Sequence, residues 1–96
     1  MYIVRTTDVF DEWLKDVSDI IFQKRIQVRI DRISLGNLGD HKAVGDGIFE
    51  LRMVFGPGFR VYYTIRDQVI VILLCGGDKS GQKEDIEYAK EIAKEL

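Results

Sequence analysis

The segment from Ile48 to Arg66 reads IFELRMVFGPGFRVYYTIR, and it constrains the fold more than any other part of the chain. Apolar and polar side chains alternate on both sides of its Gly-Pro-Gly centre, and a period of two is typical of a strand with one buried face. The segment therefore predicts a β-hairpin. The side chains expected to face the core are Phe49, Leu51, Met53 and Phe55 on the first strand and Phe59, Val61, Tyr63 and Ile65 on the second.

The register of this hairpin depends on its turn. Pro57-Gly58 suits the centre of a type II turn, but that turn would shift the strands by one residue and send apolar side chains to opposite faces. The hydrophobic pattern instead pairs Phe55 with Phe59 through a three-residue connection. We expect the hydrophobic pattern, and not the type II turn, to determine the register.

The second face of the hairpin then carries positive and aromatic side chains. On the expected register Arg52 lies across from Tyr62 and diagonal to Arg60, while Glu50 lies across from Thr64. One interpretation is a compact cationic and aromatic patch that binds a polyanion. The other is that these side chains pair with Glu50 and merely keep the sheet soluble.

Periodicity and capping signals predict the remaining elements. Thr7 or Asp8 can cap a first helix, and Ser18 or Asp19 a second helix that stops at Gly36. In order, we expect a strand at residues 2–6, helices at about 8–17 and 20–35, a Gly-rich loop at 36–47, the hairpin at 48–66, an interior strand at 69–75 and a last helix capped by Ser80. This is an α+β fold of order β-α-α-β-β-β-α, a small antiparallel sheet with its helices mainly on one face.

The second helix has two apolar stripes. The main stripe comprises Phe22, Ile26, Ile30 and Ile33, and the other comprises Ile21, Val28 and Leu35, roughly 140° away around the helix. A helix in so small a domain buries both stripes only if it has neighbours on two sides. The second stripe therefore packs against the first helix or is available to a partner protein.

Size and charge limit the classes of function. A chain of 96 residues is one domain, and a net charge of −2 argues against a general nucleic-acid binder held by phosphate attraction alone. The longest uncharged apolar run, Val69–Cys75, is far shorter than the roughly 20 residues of a membrane span. We therefore expect a cytoplasmic protein without membrane contact, and we expect its only cysteine to be a small buried hydrophobe.

The sequence lacks the motifs of several enzyme classes. One His and one Cys do not suggest a metal site, His41 is expected to be a solvated loop residue, and no P-loop or dinucleotide fingerprint is present, so no cofactor is expected. The remaining feature is a group of basic side chains, which can hold a phosphate during in-line attack by a ribose 2′-hydroxyl. In this hypothesis Tyr62 stacks on a base or relays a proton. The residues in this hypothesis are Arg52, Arg60, Tyr62, Arg66, Lys42, Lys79, Gln82 and Lys83.

Three segments of the chain resemble the addiction-module killer proteins, the HigB-like branch of the RelE/ParE toxin superfamily. They are FDEWLKD, RIDRISLGNLGDHKAVGDGIFELRMVFGPGFRVYY and LLCGGDKSGQKEDIEYAKEI, which together span nearly the whole chain. The resemblance implies a toxin of a type II toxin–antitoxin system, neutralised by a helix-turn-helix antitoxin encoded nearby. RelE-like members cleave messenger RNA, usually on the ribosome, whereas ParE-like members inhibit DNA gyrase.

Carried over residue by residue, the resemblance gives Arg60 a phosphate-binding role and places Lys79 near a second basic residue after the last strand. Two lysines of RelE fall at Ile48 and Glu50, and its tyrosine of the last helix falls near Asp85 or Ile86. The acid/base set of RelE is therefore absent here.

The expected function is a metal-independent, ribosome-dependent mRNA endoribonuclease. The alternatives are a DNA gyrase inhibitor and a catalytically weak relative that acts by protein binding. The expected catalytic residues are Arg60, Arg52, Lys79 and Tyr62, the expected RNA-binding residues are Lys42, Arg66, Gln82 and Lys83, and the expected antitoxin-binding residues are Ile21, Val28 and Leu35.

Overall fold

The computed structural model describes all 96 residues, as a five-stranded sheet with three α-helices. The elements are β1 (Ile3–Thr6), α1 (Asp8–Asp16), α2 (Ile20–Ser34), β2 (His41–Gly45), β3 (Ile48–Arg52), β4 (Arg60–Arg66), β5 (Ile70–Gly77) and α3 (Gln82–Lys94), with a 3₁₀ turn at Lys79–Gly81 before α3. The strand order is β1-β5-β4-β3-β2; β1 runs parallel to β5, and all other neighbours are antiparallel. None of the helices is long and apolar enough to cross a membrane.

The expected α+β class is confirmed, with one strand more than expected. Part of the stretch expected to be a loop forms β2, which pairs with β3 and has an irregular register between Ala43 and Gly45. Most side chains of β2 are exposed, because the strand lies at the edge of the sheet. An edge strand that buries so little leaves no apolar alternation in the sequence, which is why the prediction of a loop was wrong.

The hairpin formed by β3 and β4 has a different register from the expected one. Arg52 lies opposite Arg60, so the expected pairing is wrong by two residues. A shift of two residues preserves the face of every side chain, and the expected core face is confirmed. The connection is also wider than three residues, since the last hydrogen bond runs from the N–H of Met53 to the carbonyl oxygen of Phe59, 3.0 Å away.

Aromatic packing explains the wider connection. Phe55 and Phe59 both lie against Phe22 of α2, with ring centroids 5.7 and 5.6 Å from the Phe22 ring. Gly56 has a φ of +59°, and a Cβ there would lie only 2.9 Å from the Phe59 ring and 3.0 Å from the Phe22 ring. The connection therefore follows the aromatic cluster rather than the shortest turn.

One face of the sheet packs against α1 and α2. Trp13 of α1 contacts the rings of Phe10 and Phe59 and lies directly over Gly76, where a Cβ would overlap the indole. The main stripe of α2 enters the same core, as expected. The buried members are Phe10, Ile26, Ile30, Ile33, Leu51, Met53, Phe59, Val61, Tyr63, Val71 and Leu73.

The opposite face of the sheet is covered by α3. A bulge at Leu74 breaks the β4–β5 register, because Tyr62 lies opposite Cys75 and Tyr63 lies opposite Leu73. Leu74 and Cys75 are therefore both buried on the α3 side, with Ile48, Tyr62 and Ala89. Burial raises the pKa of the Cys75 thiol to about 12, in agreement with the expected role as a small hydrophobe. Since β5 is covered on both faces, the expectation of an interior strand is confirmed.

Two of the three expected helix caps are confirmed. Thr7 and Asp19 accept hydrogen bonds from first-turn N–H groups of α1 and α2. The expected cap at Ser80 is wrong, because Ser80 lies inside the 3₁₀ turn and its own N–H donates to Asp78 at 2.9 Å. The approach to α3 is thus a tight turn, which brings the basic residues of this stretch close to the sheet.

The buried face of α2 should dominate the stability of the domain. Ile26 is fully buried, so Ile26→Ala should lower the free energy of unfolding by about 2–5 kcal/mol through lost transfer energy and a residual cavity. The matched control is Ile20→Ala on the same helix, where the side chain is exposed and the change should stay within about 0.5 kcal/mol. Urea unfolding followed by circular dichroism measures both values, and equal losses would contradict the assignment of the core face.

Candidate functional site

The candidate site lies at one end of the sheet, on the face covered by α3. Arg52, Arg60 and Gly77 are direct neighbours across β3, β4 and β5. The next row inward contains Glu50 opposite Tyr62. The two arginines therefore project from adjacent strands on the same side, as the sequence predicts.

The guanidinium of Arg60 is held by a buried carboxylate. Its Nε lies 3.8 Å from Oε1 of Glu50, the side chain of Arg60 is 11% exposed, and that of Glu50 is completely buried. Gln82 of α3 donates to Oε2 of Glu50 at 2.7 Å, and Nη1 of Arg60 donates to the carbonyl oxygen of Gly58 at 2.9 Å. The guanidinium is therefore hydrogen-bonded through Nη1 alone, whereas its Nε and Oε1 of Glu50 are buried without a hydrogen-bond partner.

Arg52 has a weaker, exposed partner. Its Nη2 donates to Oδ1 of Asp40 at 3.0 Å, and both side chains are substantially exposed. Sequence reasoning missed Asp40, because it lies in the glycine-rich stretch before β2 and has no periodic relation to the hairpin. Both candidate arginines therefore have carboxylate partners, but only Asp40 can be displaced at little cost, since exposed ion pairs contribute about 0–1 kcal/mol.

Tyr62 does not take the expected role. It is completely buried under α3, so the expectation that it stacks on a base is wrong. Burial, followed by the neighbouring charge of Glu50, raises the pKa of its hydroxyl far above the ordinary value, which makes it a poor proton donor. The alternation of β4 does not reveal this burial, because α3 covers a face that the sequence pattern leaves polar.

Lys79, Gln82 and Lys83 lie together where α3 begins. Lys79, Ser80, Gln82, Lys83 and Ile86 line a shallow cavity of about 410 Å³. A Cβ on Gly58 would lie 3.4 Å from both Nη1 of Arg60 and Cβ of Lys79, so the Arg60 guanidinium and the first carbon of the Lys79 side chain lie next to the same glycine. The short 3₁₀ turn produces this arrangement, which the sequence predicted only as a group of nearby basic residues.

The last two expected RNA-binding residues differ in position. Lys42 lies opposite Glu50 on β2, exposed and one strand away from the site. Arg66 lies at the far end of β4, where its Nη2 donates to the carbonyl oxygen of Ala93 at 3.3 Å. Lys42 is therefore part of the candidate site by its register, whereas Arg66 belongs to a separate surface.

Asp85 is an additional residue of the site. Its carboxylate packs against Gly77, the neighbour of Arg60, so closely that a Cβ at that glycine would overlap it. Burial, and then the negative charges of Asp78 and Glu84, raise the pKa of this carboxyl above its ordinary value. Its position beside Gly77 makes this carboxyl a candidate for proton transfer at the site.

The expected antitoxin-binding stripe divides into two parts. Ile21 and Val28 line a groove of about 470 Å³ between α2 and the β3–β4 connection. Leu35 is exposed at the end of α2 and does not line this groove. The structure thus retains two of the three expected residues in one surface.

Removing Glu50 should destabilise the protein more than removing Asp40. Glu50→Ala leaves Arg60 mostly buried without a counter-charge and should lower the free energy of unfolding by about 3–5 kcal/mol, whereas Asp40→Ala should lower it by at most about 1 kcal/mol. In a double-mutant cycle with Arg60→Ala, the combined loss should be smaller than the sum of the two single losses. Chemical denaturation measures all four variants, and strict additivity would show that the pair is uncoupled.

Asp85 should reduce stability at neutral pH. Its pKa is raised from 3.8, so the folded protein binds the Asp85 proton more tightly than the unfolded chain does. The free energy of unfolding therefore falls as pH rises from the pKa of the unfolded chain to the raised pKa of the folded protein. Asp85→Asn should therefore stabilise the protein at pH 7, and the difference should vanish below about pH 3.8. Thermal unfolding across pH measures this, with Glu12→Gln on the exposed side of α1 as the control.

Comparisons with known proteins are consistent with this fold. Residues 12–96 match the family described as "Phage derived protein Gp49-like (DUF891)". An uncharacterized protein of Haemophilus influenzae is 50% identical over 93 residues, which cover 97% of this chain and 94% of that protein.

Two solved structures from E. coli share the architecture. A chain of the intact RelBE toxin–antitoxin complex matches with a TM-score of 0.67 at 12% identity, covering 81% of this chain and 96% of that chain. An arginine-to-alanine double mutant of the toxin RelE in the free state matches with a TM-score of 0.68 at 17% identity, covering 95% and 97%. The expected RelE/ParE-like fold is confirmed, while the narrower HigB-like assignment stays a prediction. The chain therefore belongs to the phage-derived Gp49-like family and has the fold of RelE.

Proposed function

We propose that this protein is the toxin of a type II toxin–antitoxin system and that it cleaves messenger RNA on the ribosome without a metal ion. The observation that carries the proposal is that Arg60 and Gln82 meet at the Glu50 carboxylate, next to the basic turn that begins at Lys79, on a RelE-like sheet. The HigB-like resemblance of the sequence supports the same function. The proposed partners are an antitoxin encoded nearby, the ribosome and its mRNA, in the cytoplasm.

In this proposal the basic side chains bind the scissile phosphate. Arg60 is hydrogen-bonded to the carbonyl oxygen of Gly58, and the side chain of Lys79 starts close to it, so the two cations can both reach a phosphate and stabilise the charge that grows on its oxygens. Arg52 adds a second guanidinium when a phosphate displaces Asp40, whose exposed ion pair is weak. Lys42 and Lys83 bind neighbouring parts of the RNA backbone.

The chemical step is in-line transfer at phosphorus. The ribose 2′-oxygen gives its proton to a water molecule and forms a bond to phosphorus, while the bond from phosphorus to the 5′-oxygen breaks and that oxygen takes up a proton. Asp85 is the side chain proposed to exchange a proton with the reacting oxygens, because its carboxyl borders Gly77, the neighbour of Arg60. Since Ile48 and Glu50 occupy the positions of two RelE lysines, we expect slow cleavage.

A second candidate function is inhibition of DNA gyrase by binding alone. The burial of Tyr62 and the carboxylate partners of both arginines favour it, since they leave fewer free groups for chemistry. Brief induction separates the two functions. Depletion of translated messages with intact DNA indicates the nuclease, and trapped DNA cleavage complexes with intact messages indicate the gyrase inhibitor.

Lys79→Ala should relieve toxicity without affecting folding, because the side chain is exposed and contributes mainly charge at the site. We expect cleavage of ribosome-bound mRNA to fall by about 10²-fold or more, the usual loss for one group that stabilises transition-state charge. The matched control is Lys15→Ala, an exposed lysine of α1 far from the site, which should behave like the unmodified protein. Growth after induction and mapping of mRNA 5′ ends measure the effect.

Arg60→Lys is the complementary variant. It keeps the positive charge beside Glu50 but loses the planar fork, so stability should change little while cleavage falls. If Lys79→Ala and Arg60→Lys both cleave like the unmodified protein, the proposed phosphate site is wrong.

A further inference from the structure

A groove on the other side of the molecule is unlike the candidate RNA site. It lies between α2 and the β3–β4 connection, has a volume of about 470 Å³, and is lined by Ile21, Lys24, Arg25, Val28, Arg29, Arg32, Val54 and Phe55. Half of these residues are apolar and half are basic. None of them takes part in the chemistry proposed above.

The floor of the groove exposes aliphatic side chains to an unusual degree. Ile21 is 63% exposed, Val28 is 47% exposed, and Val54, in the β3–β4 connection, is 94% exposed. These three residues bring apolar surface from two separate elements to one place. Clustered exposed apolar residues that are rimmed by polar ones are typical of a protein-binding surface.

The rim of the groove carries positive charge that is not neutralised within the chain. Asp31 is the only acidic residue within α2, whereas Lys24, Arg25 and Arg32 take part in none of the five ion pairs of the structure. Arg29 is directed to backbone carbonyl oxygens, including that of Arg52 at 2.8 Å. In a chain with a net charge of −2, this local excess of positive charge is complementary to an acidic partner.

We propose that this groove binds an acidic amphipathic helix of a partner protein. The aliphatic face of such a helix covers Ile21, Val28 and Val54, and its carboxylates face the cations of the rim. Ile21 and Val28 are seven residues apart, about 10.5 Å along α2, so a partner helix matches them with apolar residues two turns apart.

A protein helix fits this groove better than RNA does. RNA has no aliphatic side chains to cover Ile21, Val28 and Val54, and its usual protein contacts are phosphate pairing and base stacking. The aromatic ring available for stacking is Phe55, but the guanidinium of Arg25 already lies over it, 4.1 Å from the ring centroid. The apolar floor would therefore stay exposed to water in an RNA complex.

Only the identity of the partner rests on the proposed function. If the protein is a toxin, the acidic helix is a segment of its antitoxin, bound away from the phosphate site. The binding surface itself does not depend on nuclease activity, so a direct binding experiment tests it separately.

The test uses the full chain and a synthetic fluorescent peptide. The peptide is a helix of roughly six turns with Leu on one face and Glu on both flanks. Companion probes have Lys in place of Glu, or the same composition with scrambled Leu positions, and a fluorescent single-stranded oligouridine represents RNA. Fluorescence anisotropy gives the affinity of each probe, and sedimentation checks whether the chain binds a second copy of itself.

We expect the acidic amphipathic peptide to bind and both companion peptides to bind at least about tenfold more weakly. Lys24→Glu/Arg32→Glu should weaken binding of the acidic peptide by about tenfold or more. Val54→Asp should weaken it to a similar extent, because it places a charge in the apolar floor of the groove. The control Arg5→Glu/Lys94→Glu makes the same change in net charge at exposed positions outside the groove and should alter affinity less than about twofold.

Four results would overturn the inference. The first is that the control pair Arg5→Glu/Lys94→Glu weakens peptide binding as much as the groove pair does, and the second is that the scrambled peptide binds as tightly as the acidic amphipathic one. The third is that the oligouridine binds more tightly than the peptide and loses affinity in the groove variants. The fourth is that the chain associates with itself and that Val54→Asp abolishes this association. Failure of the toxin proposal is distinguishable, because absence of growth arrest together with groove-dependent peptide binding refutes only the proposed activity. Growth arrest without peptide binding refutes only the groove.

Discussion

The buried carboxylate of Glu50 is the constraint on which the site depends. It lies on an inner strand beneath α3, where a lone negative charge would be strongly unfavourable, and it is compensated by Arg60 of β4 and Gln82 of α3. This arrangement joins the hairpin to the last helix through polar contacts, while Ile48 and Ala89 join them through apolar ones. Arg60 therefore meets any ligand with one guanidinium nitrogen already bonded to the backbone of Gly58 and with a buried carboxylate beside it.

The sequence predicts the parts of the fold that follow from periodicity. The alternation around Leu51 and Val61 and the helical spacing of Ile26, Ile30 and Ile33 identify one core face, because burial of that face is the main energetic demand on these segments. Register was less predictable. The choice between a tight turn and a wide connection rests on contacts between Phe55 and α2, which no local pattern reveals.

The site was only partly predictable for a related reason. Basic residues at Arg60 and Lys79 are visible in the sequence, but whether each is free depends on what packs over it. Tyr62 looked exposed because α3 covers a face whose pattern is polar, and Asp40 was missed because a glycine-rich stretch carries no periodic signal. The paired charges were therefore invisible until the tertiary contacts were known.

The consecutive glycines at the end of β5 constrain the chain in a way that reaches beyond stability. Gly76 admits the Trp13 indole on one side of the strand, and Gly77 admits the Asp85 carboxylate on the other, so the backbone there is pressed between two neighbours. A single peptide layer separates the apolar core from the polar site. Substitutions at both positions are therefore disfavoured. A larger side chain at Gly76 would require a smaller residue in place of Trp13, and one at Gly77 would require a smaller residue in place of Asp85.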